Sequence, residues 1–280
     1  MNIEHCLFPC LPAGRLVFGY WLLLKIIMLK YWSLLKKLTS REIKARYKQS
    51  FLGFFWVLLN PLFQMIIMSF VFSKIMKMTG IGVPYPIYLY AGLLPWLFFA
   101  NSIASAMGAL ANNSSLIKKI YFPREILILS TLLAKVFDFS LAIIIFIVLM
   151  IFFKVPFTIY MLLFFPIFLL QFIFTYALSL LLSALNLFYR DIQYLFDLIM
   201  TLWFYLTPVI YATEFFPAEY RYIFKINPMS VFINAYRQVL FNGTFPNWDS
   251  LTIGLVVSVG LYLIAHKIFK KLEGMFADVV

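Results

Sequence analysis

Six apolar runs, each close to the length of a bilayer-spanning helix, constrain this chain more than any other feature. A helix that crosses the hydrocarbon core needs about 20 largely uncharged residues. Runs of roughly this kind lie at about 51–75, 87–110, 126–153, 157–185, 194–211 and 251–269. Composition agrees: 64% of the residues are hydrophobic and 12% are charged, whereas a soluble domain carries about 25% charged residues. The fold expected is an all-α integral membrane protein with six transmembrane helices per protomer.

The net charge of +12 does not point to nucleic acid, because most of the cations cluster in the gaps between apolar runs. The positive-inside rule accounts for that placement, and anionic lipid headgroups are the natural partners. Six spans put both termini on one side. Lys and Arg then divide sixteen to six between the two faces, with Lys135 left over. The richer face is cytoplasmic, and both termini with it. Cys6 and Cys10 have no further cysteine to pair with, so neither a disulfide framework nor, with His5 alone nearby, a metal site is indicated. The first cation is Arg15, too late for the charged start of a cleavable signal peptide.

Residues 1–15 read as a tail interrupted by Pro9 and Pro12. Residues 16–38 are apolar but broken by Lys25, Lys30, Lys36 and Lys37, with Trp21 and Trp32 among them. That pattern suits an amphipathic helix lying in the headgroup plane; an irregular first spanning helix is the other reading. Residues 39–50 form a polar helix or turn that Thr39 or Ser40 is placed to cap. Together, 16–50 make an interface helix and a basic segment, and 51–275 the transmembrane domain. Lys135 and Asp138 lie three apart on span three, paired either inside the bundle or at its interface. Within 212–247, two apolar stretches, Ala218–Ile226 and Met229–Phe241, are too short to cross. They read as outer re-entrant or interfacial helices between spans five and six. Residues 276–280 read as a C-terminal tail.

The chain lacks a phosphate-binding Gly-rich lysine loop, a Gly-x-Ser-x-Gly elbow and a zinc helix, so it is not expected to be an enzyme by itself. Three features carry chemistry. The basic segment Lys44, Arg46 and Lys48, beside Tyr47 and the Leu52-Gly53 step, supplies the cations and open backbone that a phosphate headgroup wants; plain cytoplasmic anchoring is the alternative. Aromatic residues crowd span one (Phe54, Phe55, Trp56) and span five (Tyr194, Trp203, Tyr205). Their faces can stack on sugar rings, though lipid contact and helix packing also use them. The short cytoplasmic loops 111–125 and 186–193 expose charged residues on which a separate subunit can dock; ordinary turns would look the same.

The stretches REIKARYKQSFLGFFWVLLNP (41–61), AGLLPWLFFANSI (91–103), NNSSLIKKIYFPREIL (112–127), LNLFYRDIQYLFDLIMTLWFYLTPVIY (185–211) and NPMSVFINAYRQVLFNG (227–243) resemble the membrane subunit of ABC exporters of polysaccharides, the O-antigen, capsule and teichoic-acid family. The resemblance runs over about 38–275. It implies six spans behind an N-terminal amphipathic interface helix, in the bacterial cytoplasmic (inner) membrane. It implies a homodimer bound to two copies of a cytoplasmic ATPase subunit, with ATP and Mg on that partner and no cofactor on this chain. The cargo it implies is a polyprenyl-pyrophosphate-linked glycan. It places the pyrophosphate at Lys44, Arg46, Lys48, Leu52 and Gly53, and the ATPase contact at 112–125 with Lys118, Lys119 and a tip of Phe122, Pro123, Arg124 and Glu125. Arg190 and Asp191 are further candidates for that contact. Two alternatives stand beside it: a membrane-embedded glycan-lipid transferase, for which Glu214 and Glu219 are the close outer acidic pair, and an ion-coupled flippase without an ATPase.

Overall fold

A computed structural model of the chain describes residues 30–47, 55–77, 82–189, 191–215, 217, 219 and 221–279. The expected tail 1–15 with Cys6 and Cys10, the start of the interface helix, and Lys48, Leu52, Gly53, Phe54 and Arg190 lie outside these residues, as do the side chains of Tyr47 and Glu214.

The described residues are helical, with no strand among them. Helix α1 runs Trp32–Tyr47. Thr39 and Ser40 sit inside it rather than at a start, so the expected break between interface helix and polar segment does not occur. The reason is packing: Leu35 and Leu38 are buried in a cluster with Leu132 and Ile128 of the third span, and that continuous apolar stripe carries the helix across both polar residues.

Helix α2 covers Phe55–Ser69 and closes with a π-helical turn, Phe70–Ile75. Helix α3 is Tyr85–Met107. Short helices α4 (Ala109–Asn112) and α5 (Ser114–Lys119) lie in the loop between the second and third spans. Helix α6 is Glu125–Phe152. A 3₁₀ turn at Ile159–Leu163 leads into α7, Phe164–Phe188. Helix α8 is Ile192–Leu206, followed by α9 (Arg221–Ile226), α10 (Pro228–Arg237), α11 (Trp248–Glu273) and α12 (Phe276–Val279).

Five of these segments are long and apolar enough to cross a membrane: Phe55–Ile75, Tyr85–Met107, Glu125–Phe152, Ile159–Phe188 and Trp248–Glu273. The stretch expected as span five is shorter. Helix α8 has 15 residues, about 22 Å of rise, and it stops at Thr207. Pro208 follows and drives Thr207 into an extended conformation, φ −105° and ψ 135°. The stretch 276–280, expected as a tail, instead carries α12, whose Phe276 is fully buried against Phe188 and Phe269.

Helix α3 is the hub, packed by α2, α6, α7, α8 and α10. Its interior position suits its sequence, apolar all round with small residues between large ones. Gln171 of α7 donates to the Pro95 carbonyl of α3 (2.8 Å) and accepts from the Tyr236 hydroxyl of α10 (2.9 Å). Burial holds that hydroxyl well above the ordinary tyrosine range, so it stays protonated as the donor.

Candidate functional site

The basic segment meets the third span at a cluster of charged side chains. Arg46, in the last turn of α1, places Nη1 2.5 Å from Asp138 Oδ2, and Lys135 Nζ lies 3.9 Å from the same oxygen. The Lys135–Asp138 spacing predicted such a pair; Arg46 as its third member was not legible, because α1 and α6 are brought together only by packing. Lys44, two residues away, is exposed. Beside the cluster, a cavity of about 300 Å³ lies between α2, α3 and α6, walled by Trp56, Asn60, Asn101, Lys135, Asp138 and Phe139 among others.

The aromatic candidates separate into two groups. Phe55, Trp56, Tyr194 and Tyr205 are exposed on the outer surfaces of α2 and α8. Tyr194 and Tyr205 share a face, as their spacing of about three turns requires. Trp203 turns the other way. Its indole packs edge-on against Trp96, Phe99 and Phe174, and its Nε1 donates to Asn227 Oδ1 at 2.9 Å. It joins α8 to the outer segment instead of lining a surface.

The loop between α3 and α6 also has two faces. Phe122 and Glu125 are buried. Glu125 Oε1 sits 3.2 Å from both His266 Nδ1 and Lys270 Nζ of α11. Arg124 donates from its backbone to Glu273 Oε1 at 2.8 Å and from its guanidinium to the Glu273 carbonyl, with Phe276 beneath it. The expected docking tip thus faces inward and ties the loop to the end of α11, with Pro123 half-buried between. Lys118, Lys119, Ile120 and Tyr121 face out, Tyr121 being 96% exposed. Ile120 and Tyr121 were not singled out by the sequence; two apolar residues ahead of a Phe-Pro step gave no sign of which would be buried. Asp191, at the start of α8, is also exposed.

The outer segment is built on two side chains. Asn227 caps α10, accepting from Met229 N at 3.1 Å, and donates to Thr207 Oγ1 at 3.0 Å; Asn followed by Pro at the first helical position is a strong start signal. Arg237 is buried, donates to the carbonyls of Pro208 (2.6 Å) and Val209 (2.7 Å), and stacks 3.7 Å over the Tyr88 ring. A Cβ at Gly92, opposite it, would stand 2.7 Å from Arg237 Nη2 and 3.2 Å from the Val209 carbonyl oxygen, so a side chain there must displace the guanidinium. Arg237 thereby satisfies carbonyls released at the Thr207-Pro208 break. The sequence hinted at this with one Arg in an apolar stretch, but gave it no partner. Glu219 is exposed, and among the described residues no cluster of acidic, His or Cys side chains could hold a metal.

Comparison with known proteins follows this architecture. The family profile of the ABC-2 type transporter matches residues 33–241. An O-antigen export system permease protein RfbA of Klebsiella pneumoniae is 32% identical over 249 residues, 88% of this chain and 95% of the relative. The protein of the same name from Myxococcus xanthus is 33% identical over 253 residues, 89% of this chain and 96% of its own. The polysialic acid transport protein KpsM of Escherichia coli is 32% identical over a shorter stretch of 76 residues, 27% of this chain.

Proposed function

Because this chain belongs to the ABC-2 type transporter family, we propose that it is the permease of an exporter that moves a lipid-linked polysaccharide of the O-antigen type across the bacterial inner membrane. The observation that carries this reading is similarity to two O-antigen export permeases along nearly their whole length. ATP hydrolysis belongs to a separate cytoplasmic subunit, which holds the ATP and Mg. In this reading the 15-residue α8 and the extended residues after it make the sixth crossing, and both termini face the cytoplasm.

Two copies of the chain assemble around the transport path. Helices α2 and α8 support this, since their apolar outer faces are covered by little of their own protomer. Phe55, Trp56, Tyr194 and Tyr205 on those faces offer rings over which a glycan slides without sequence-specific hydrogen bonds. Lys44, Arg46 and Lys48, near Leu52-Gly53, receive the pyrophosphate headgroup. The exposed Lys118–Tyr121 edge, and with it the exposed Asp191, receives the ATPase.

The test is reconstitution of the chain with its ATPase in proteoliposomes carrying a labelled polyprenyl-diphosphate glycan. ATP-dependent appearance of the glycan on the far side is expected, with loss of coupling in Tyr121→Ala and a well-folded complex. Transport driven by an ion gradient without any ATPase would replace this reading with a flippase. Transfer of the glycan to an acceptor by the purified chain would replace it with a transferase.

A further inference from the structure

Asp138 Oδ2 is the point on which Arg46 of the interface helix and Lys135 of the third span both converge, at 2.5 and 3.9 Å. The three side chains keep only 25%, 18% and 16% of their surface exposed for Arg46, Lys135 and Asp138. One carboxylate therefore faces two cations in a place with little water. Asn60 and Asn101 join Lys135 and Asp138 in lining the cavity next to them, and Trp56, which also lines it, is exposed.

Depth sharpens the point. Helix α6 has 28 residues, about 42 Å of rise against a hydrocarbon core of about 30 Å. Asp138 is thirteen residues along it. With the excess length on the cytoplasmic side, where α1 packs, Asp138 lies about 8 Å within the apolar layer. Unbalanced charge at that depth is costly and calls for a partner. Among the described residues the cluster has one cation more than it has anions. It is poised for an additional anion, and a lipid-borne one reaches this depth without leaving the bilayer.

We propose that this cavity is a phosphate-headgroup exchange site, in which Asp138 occupies the anion position until a diphosphate displaces it from Arg46 and Lys135. The inference rests on the exporter reading for its ligand and adds to it a resident competitor, Asp138, and a second cation, Lys135. A diphosphate diester brings two negative charges and several acceptor oxygens, so it bridges two cations that a single carboxylate oxygen holds unequally. Displacement also frees Arg46, and with it the end of α1, from the third span. An empty site is thereby held shut by the protein's own carboxylate, and the headgroup chemistry that opens it is selected by charge. A merely structural ion pair would instead lock α1 to α6 and be indifferent to phosphate.

The test measures headgroup binding to the full chain in complex with its ATPase, in nanodiscs, with polyprenyl diphosphate, polyprenol and inorganic pyrophosphate as probes. Asp138→Asn is expected to tighten polyprenyl diphosphate binding about tenfold and Lys135→Gln to weaken it about tenfold, the scale of one charge-assisted hydrogen bond, while polyprenol binding changes in neither. Competition by inorganic pyrophosphate, itself tightened in Asp138→Asn, assigns the site to the diphosphate alone; no competition assigns it to the lipid-borne headgroup. Folded Asp138→Asn that binds no more tightly than wild type overturns the exchange. Should that variant not fold, Lys135→Gln, which keeps the Arg46–Asp138 pair, decides: undiminished binding overturns the proposal. Wild-type binding that follows this pattern without any ATP-driven export would overturn the exporter reading and leave the exchange site standing.

Discussion

Helices α2 and α3 are both apolar and both long enough to cross a membrane, yet 78% of the apolar window of α3 is buried within the protomer and only 11% of that of α2. Hydropathy alone does not separate them, and α2 is the more hydrophobic of the two. What differs is side-chain size and the groups that reach in. Helix α3 offers Gly92, which admits Arg237 and Val209, and the Pro95 carbonyl, which accepts from Gln171. Helix α2 presents Phe63, Ile66, Ile67 and Phe70 outward. In a bilayer such a face needs no cover for solvation, because lipid tails are as apolar as the side chains. One helix holds the protomer together; the other is left for a neighbour, a cargo or lipid.

The contrast predicts a descending series of effects. Arg237→Ala should be the most damaging, since it strands the Pro208 and Val209 carbonyls; a loss of about 3 kcal/mol is expected, read as a lowered unfolding midpoint in lipid nanodiscs. A near-normal midpoint would mean that the outer segment does not depend on the α3 hub. Gly92→Ala attacks the same junction from the other side. Its Cβ falls within 2.7 Å of Arg237 Nη2, and overpacking of this kind costs about 2 kcal/mol. If Arg237→Ala and Gly92→Ala combine less than additively, the junction is one unit.

Asn227→Ala removes a helix cap and the acceptor of the Trp203 indole, and about 1.5 kcal/mol should be lost. Indole fluorescence at Trp203 should shift in the same variant, in a background where the other five tryptophans are replaced by phenylalanine. Phe63→Ala on α2 should change the stability of a detergent-solubilised monomer by less than about 0.5 kcal/mol. The same change should reduce cysteine cross-linking between two copies of α2. A stability loss as large as that of Gly92→Ala would abolish the distinction between the two helices.

A similar split runs through the loop between α3 and α6. Glu125 and Arg124 are engaged with α11, whereas Tyr121 touches little. The family resemblance places Arg124 and Glu125 at the docking tip and does not single out Tyr121. The buried cluster of Glu125 with His266 and Lys270 brings together positions more than 140 residues apart. No local pattern marks Glu125 as the partner of that pair.

By itself the sequence determined that this chain lives in a membrane and where its long helices begin and end to within a few residues. It also marked the outer segment as too short to span. Those properties follow from length, charge and local backbone preference, all of which are read along the chain. Only the tertiary structure decided that α3 is the hub, that Arg237 closes the Thr207-Pro208 break, and that Arg46 shares Asp138 with Lys135. Each depends on which helix faces lie together. In an apolar sequence nearly every face is equally greasy, so the choice falls to side-chain shape and a few buried polar partners.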